Sequence, residues 1–123
     1  MGAKTWTFEI PPASGKFMGK CLRADIDFGA GATEPSDQAK ALLDEILAHL
    51  PLILSKAEAA LAEREKSGGQ DYASHVSNPQ IWIPEERKSA KAWTLVVERD
   101  DWPDFGWHLE FRGSDLVDIW AAD

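Results

Sequence analysis

The sequence has one cysteine, Cys21, so no intrachain disulfide can form, and the chain reads as a protein of the reducing cytoplasm. No helix start lies beside that thiol to activate it, and Cys21 is expected to be structural or incidental. Long apolar runs are missing as well. Leu50 to Leu54 is the longest, it contains Pro51, and it falls far short of the ~20 residues that cross a bilayer. The N-terminus goes straight into a strand-like pattern without the apolar core of a signal peptide, and Trp6 stands where a myristoylation motif needs Ser or Thr. Metal and nucleotide signatures are absent too. There is no HExxH and no paired Cys-x-x-Cys, and Gly29-Ala30-Gly31-Ala32 matches neither GxGxxG nor the lysine-containing phosphate loop, so it reads as a flexible turn.

Bases are scarce relative to acids. The 123 residues carry 21 Asp and Glu against 13 Lys and Arg, for a net charge of −8. The excess is uneven. Residues 98–123 hold eight acids and two bases, Arg99 and Arg112, so most of the negative charge sits in the last fifth of the chain. Such a field repels phosphate, which disfavours nucleic acid as a partner, and it steers a basic partner or a cation toward that end.

What is present is strand alternation at both ends and helical composition between. Trp6, Phe8 and Ile10 alternate with Thr5, Thr7 and Glu9, and Pro11-Pro12-Ala13-Ser14-Gly15 ends that run. A second strand is expected from about Phe17 to Phe28, with Leu22, Ala24, Ile26 and Phe28 on its apolar face; the two read as a hairpin. Ser36 or Asp37 caps a helix whose apolar stripe runs through Ala41, Leu42, Ile46 and His49. Pro51 predicts a kink or a break, with a second helix from about Leu52 to Lys66 and a stop at Ser67-Gly68-Gly69. Residues 70–79 read as irregular. Beyond them, Gln80–Ile83, Trp93–Val97, Phe105–Phe111 and Leu116–Trp120 read as strands joined by short turns, hence an antiparallel meander. A sheet with one apolar face needs a cover, and the helical region is the available one. The expected fold is a single α+β domain over residues 1–123, a two-layer sandwich with a mainly antiparallel sheet (N-terminal hairpin plus C-terminal meander) under a long, Pro-kinked or broken helical region.

Three constellations could carry function. Asp100, Asp101 and Asp104 share a turn with Trp102; the spacing is not that of a calcium-binding loop, so the group reads as a solvated Asp-rich turn without metal, or, because Trp102 sits in it, as a protein-binding edge. His108 and Glu110 lie two apart on one strand and so point the same way, as a general base and its orienting carboxylate would, but Arg112 continues the row and no motif supplies a nucleophile. Last, there are six tryptophans. Trp6, Trp93 and Trp107 fall on apolar strand faces and read as core, whereas Trp82, Trp102 and Trp120 are harder to bury.

The run Trp93-Thr94-Leu95-Val96-Val97, then Gly106-Trp107-His108-Leu109-Glu110-Phe111 with Gly113, then Asp118-Ile119-Trp120, resembles the C-terminal strands of small bacterial domains of unknown function, several of them immunity proteins of polymorphic toxin systems. The preceding capped helix with Gln38 near its start is similar too, and the likeness touches about half the chain. It implies a binding protein without catalytic residues or cofactor, often acidic where the toxin is a basic nuclease. The expectation is therefore a non-enzymatic protein-binding domain, monomer or homodimer, that meets a basic protein partner through Asp100, Asp101, Trp102, Asp104, His108 and Glu110. The alternative is a small-molecule-binding domain or small enzyme built on His108 and Glu110.

Overall fold

The computed structural model describes residues 4–68, 75–85, 87, 89–101 and 106–122. It is an α+β fold with one six-stranded, mostly antiparallel sheet and two helices. In chain order the elements are β1 (Lys4–Glu9), a 3-10 turn (Pro12–Ser14), β2 (Lys16–Phe17), β3 (Lys20–Cys21), β4 (Arg23–Phe28), α1 (Asp37–Ala48), α2 (Leu50–Gly68), β5 (Val76–Ile83), β6 (Ala92–Arg99), β7 (Gly106–Arg112) and β8 (Asp115–Ala122). The large sheet has the order β1-β4-β5-β6-β7-β8.

The second strand expected from Phe17 to Phe28 is divided. Met18 and Gly19 both take positive φ, as a tight two-residue hairpin requires, and they fold β2 onto β3 before the chain continues as β4. The apolar face read for β4 holds: Leu22, Ala24, Ile26 and Phe28 are buried. Helix α1 starts at Ser36, whose Oγ accepts the Ala39 amide at 3.2 Å. It ends at Ala48, and α2 begins at Leu50, so Pro51 falls in the first turn of α2, where its missing N–H has no intrahelical partner to lose. Leu50, Ile53, Leu54, Ala57 and Leu61 form the buried stripe of α2.

One link in the sheet is parallel. The chain leaves β4, passes through both helices and returns as β5 beside β4, with Ala24 opposite Ile81 and Ile26 opposite Ile83. β5 also begins earlier than the composition suggests. Its first half, Val76–Pro79, includes Asn78 at φ 44 within a register shift between Ser77 and Gln80, a bulge that lets Asn78-Pro79 sit inside a strand. A second bulge lies in the β7–β8 pairing: Glu110 faces Asp118 and Phe111 faces Leu116, leaving Val117 as the extra residue. That bulge explains the uneven alternation of the last strand.

One core joins the helices to one face of this sheet. Leu42, Ile46, Ile53 and Leu61 from the helices cluster with Ile26, Ile81, Leu95, Leu109 and Phe111 from the strands. Trp93 is 2% exposed, stacks on Phe111 at 4.6 Å, and donates its Nε1–H to the Gly113 carbonyl at 2.8 Å. Trp107 is buried as its alternation predicts, but Trp6 is 40% exposed. Its register partner Ile26 places it on the core face, yet β1 is the sheet's edge strand. There Trp6 stacks on Phe8 and borders a hollow of about 320 Å³ with Pro35, Lys40 and Leu43. The opposite edge is closed off by α2. Arg64 Nη2 donates to the Ile119 carbonyl of β8 at 3.2 Å, and Asp118 Oδ1 accepts the Ile119 amide at 2.8 Å, which blunts that edge against further strand pairing. Among the described residues no helix is long and apolar enough to cross a membrane.

Candidate functional site

Strand period 2 sends every second side chain to the face away from the core. Register then builds two cross-strand rows there. The first runs Thr7, Asp25, Trp82, Thr94, Glu110, Asp118, and the second Glu9, Arg23, Gln80, Val96, His108, Trp120. On the β1–β4–β5 side this face is a hydrogen-bonded lattice. Thr5 Oγ1 and Thr7 Oγ1 donate to Asp27 and Asp25 at 2.9 Å, Arg23 donates to Asp25 and to Gln80, and the Trp82 indole N–H donates to Asp27 Oδ2 at 2.9 Å.

On the β5–β8 side the rows change in height. Ala92 and Thr94 of β6 are short, while Trp82 on one flank and His108, Glu110 and Trp120 on the other are tall. The result is a groove of about 500 Å³ across four strands, with Thr94 on its floor, Val117 from the bulge on its wall, and Pro84, Arg87 and Ser89 at one end. Trp82 is 36% exposed, Trp120 42% and Val117 56%. Trp120 is nevertheless fixed. Its ring stacks on His108 with centroids 4.1 Å apart and planes 9° apart, and its Nε1–H donates to Glu110 Oε2 at 2.6 Å.

Of the residues singled out from the sequence, His108 and Glu110 both lie in this groove, on the same face of β7. Glu110 is engaged by Trp120, and burial holds the His108 imidazole below its ordinary value against the opposing pull of Glu110. Asp100 and Asp101 lie past the far end of β6, six residues beyond Thr94, or about 20 Å along a strand. Both Asp101 oxygens accept from Arg99 at 2.8 Å, and this guanidinium holds the Asp101 carboxyl below the usual range. His75 Nδ1 lies 3.0 Å from Asp100 and Nε2 lies 3.7 Å from Asp101. His75, Asp100 and Asp101 bring three potential ligand atoms within 4.8 Å of one another, though the Arg99 guanidinium already occupies Asp101 and opposes a cation there. Trp102 and Asp104 lie outside the described residues.

Reading the sequence strand by strand missed the groove, because it is a property of four strands in register. Its signals were the alternation Gln80-Ile81-Trp82-Ile83, which sends Trp82 outward, and the short side chains of Ala92 and Thr94 between tall neighbours. Comparison of the chain with protein-family models, with curated proteins and with solved structures finds no match.

Proposed function

We propose that this chain is a non-enzymatic binding domain that docks a basic protein partner on the uncovered face of its sheet, in the manner of the immunity proteins its C-terminal strands resemble. In this reading the fold is a two-layer sandwich in which the helices cover one sheet face and leave the other for the partner, and the protein works in the cytoplasm. The observation that carries it is the make-up of that face. Two half-exposed tryptophans flank a groove, and by register the strand residues of the face include seven carboxylates (Glu9, Asp25, Asp27, Glu98, Glu110, Asp115, Asp118) against two guanidiniums, Arg23 and Arg112. Rigid aromatic anchors within a polar, single-sign surround are the usual make-up of a binding hot spot with electrostatic steering. Asp100 and Asp101 extend the acidic field at the far end of β6; Trp102 and Asp104, which follow them in sequence, are the further contacts proposed.

The test is affinity purification of the tagged chain from its native cells beside a Trp82→Ala/Trp120→Ala variant, with calorimetry on the partner identified. The reading expects a basic protein, bound about a hundredfold more weakly by the double variant. A partner with net negative charge, or equal affinity for both forms, refutes it. The rival reading, a small-molecule site or enzyme on His108 and Glu110, shares this groove and predicts instead that a small metabolite co-purifies.

A further inference from the structure

We infer that the groove seats one basic side chain of the partner, a lysine or arginine, with its aliphatic stem against Trp120 and Val117 and its charge between Glu110 and Asp118. This rests on the proposed docking of a basic partner and specifies where that partner is held.

Three observations lead to it. Glu110 and Asp118 face each other directly across β7 and β8 on the outward face. Like charges in that relation destabilise a sheet, and no lysine or arginine among the described residues is hydrogen-bonded or ion-paired to either one. Each uses one oxygen locally, Glu110 Oε2 on the Trp120 indole and Asp118 Oδ1 on the Ile119 amide, so each keeps a second oxygen. A cation placed between them converts a repulsion into two attractions.

The second observation is Trp120. His108 covers one side of its ring and Glu110 fixes its edge, yet 42% of the residue remains exposed. An immobilised indole beside carboxylates offers a cation–π surface at little ordering cost.

The third is the positive charge around the rest of the groove. Arg87 donates to the Pro84 carbonyl and to Gln38 Oε1, and Arg112 lies one row along from Glu110 on β7. Those guanidiniums repel a second cation. The groove therefore takes one basic residue with apolar neighbours, which have Trp82, Ala92 and Val117 to cover, in preference to a run of basic residues.

The experiment is a titration of the full-length chain, followed by NMR at the tryptophan indole N–H signals, with three capped tripeptides: acetyl-Leu-Arg-Leu-amide, its neutral citrulline isostere, and acetyl-Leu-Glu-Leu-amide. The arginine peptide is expected to shift the Trp120 indole signal and to bind about tenfold more tightly than the citrulline peptide, the scale of one charge-assisted contact. A Glu110→Gln/Asp118→Asn variant is expected to lose that tenfold preference while melting no lower than the parent, since the facing charges are gone. The inference is overturned if the glutamate peptide binds as well as the arginine peptide, if the variant keeps its preference for arginine, or if none of the peptides moves Trp120. The two readings separate on the intact partner. A footprint on the sheet face that Glu110→Gln/Asp118→Asn does not weaken sinks this inference alone, whereas a footprint elsewhere sinks both.

Discussion

Trp93→Phe gives the sharpest test of how the C-terminal strands are held. The Trp93 ring is buried against Phe111, and its indole N–H is the donor to the Gly113 carbonyl at the β7–β8 turn. Phenylalanine keeps an aromatic ring on Cβ but loses the indole N–H and two ring carbons. Two ring carbons lost from a buried site cost about 1.5 kcal/mol at roughly 0.8 kcal/mol for each carbon. The Gly113 carbonyl, left buried without its donor, adds about 1–3 kcal/mol. The sum is about 2.5–4.5 kcal/mol, a large share of the stability of a domain this size, which is on the order of 5–15 kcal/mol. Urea unfolding followed by circular dichroism is expected to show the unfolding free energy falling by that amount, through a lower midpoint at an unchanged slope. Trp82→Phe is the control. Its indole donates to Asp27 on the exposed face, and its loss is expected to cost about 1 kcal/mol or less. If Trp93→Phe costs no more than Trp82→Phe, the buried tie between β6 and the β7–β8 turn is refuted.

Other outcomes follow from single contacts. Gly113→Ala places a Cβ at φ +60 and 3.1 Å from Glu45 Oε2, and it is expected to cost about 1–2 kcal/mol in the same assay. Ser36→Ala removes the acceptor for the Ala39 amide and is expected to lower stability by about 1 kcal/mol, with faster amide exchange in the first turn of α1. Because burial depresses the His108 imidazole in the folded state, the unfolded chain takes up its proton first as pH falls. Stability from this group is thus complete above its ordinary value of 6.5 and is lost as pH drops through the lowered folded value. His108→Gln is expected to flatten that part of the stability–pH curve, and an unchanged curve contradicts the burial argument.

The strands that alternate cleanly were legible from residue order. In β4, β6 and β7 every second residue is apolar and buried, as a strand with one covered face requires, and only Thr94 and Gly106 are buried off that alternation. Ser36 was readable as a cap for an equally local reason. What escaped was non-local or irregular. The parallel β4–β5 link joins residues more than fifty positions apart, and nothing in either strand marks its partner. Bulges hid the first half of β5 behind Asn78-Pro79 and broke the alternation of β8 at Val117. Trp6 has the parity of a core residue but lies on the edge strand, a fact fixed by strand order and not by its neighbours in sequence. Of the candidate site, the direction of His108 and Glu110 was legible and their partner was not. Trp120 reaches Glu110 only once β7 and β8 are paired with the bulge in place.

The central claim is that the sheet face away from the helices is the working surface. Hydroxyl-radical footprinting of the full chain, free and bound to its purified partner, tests it most directly. The account predicts protection at Trp82, His108 and Trp120, with no change at Leu52 and Glu58 on the exposed side of α2. Protection confined to the helices, with Trp82 and Trp120 oxidised equally in both states, contradicts it.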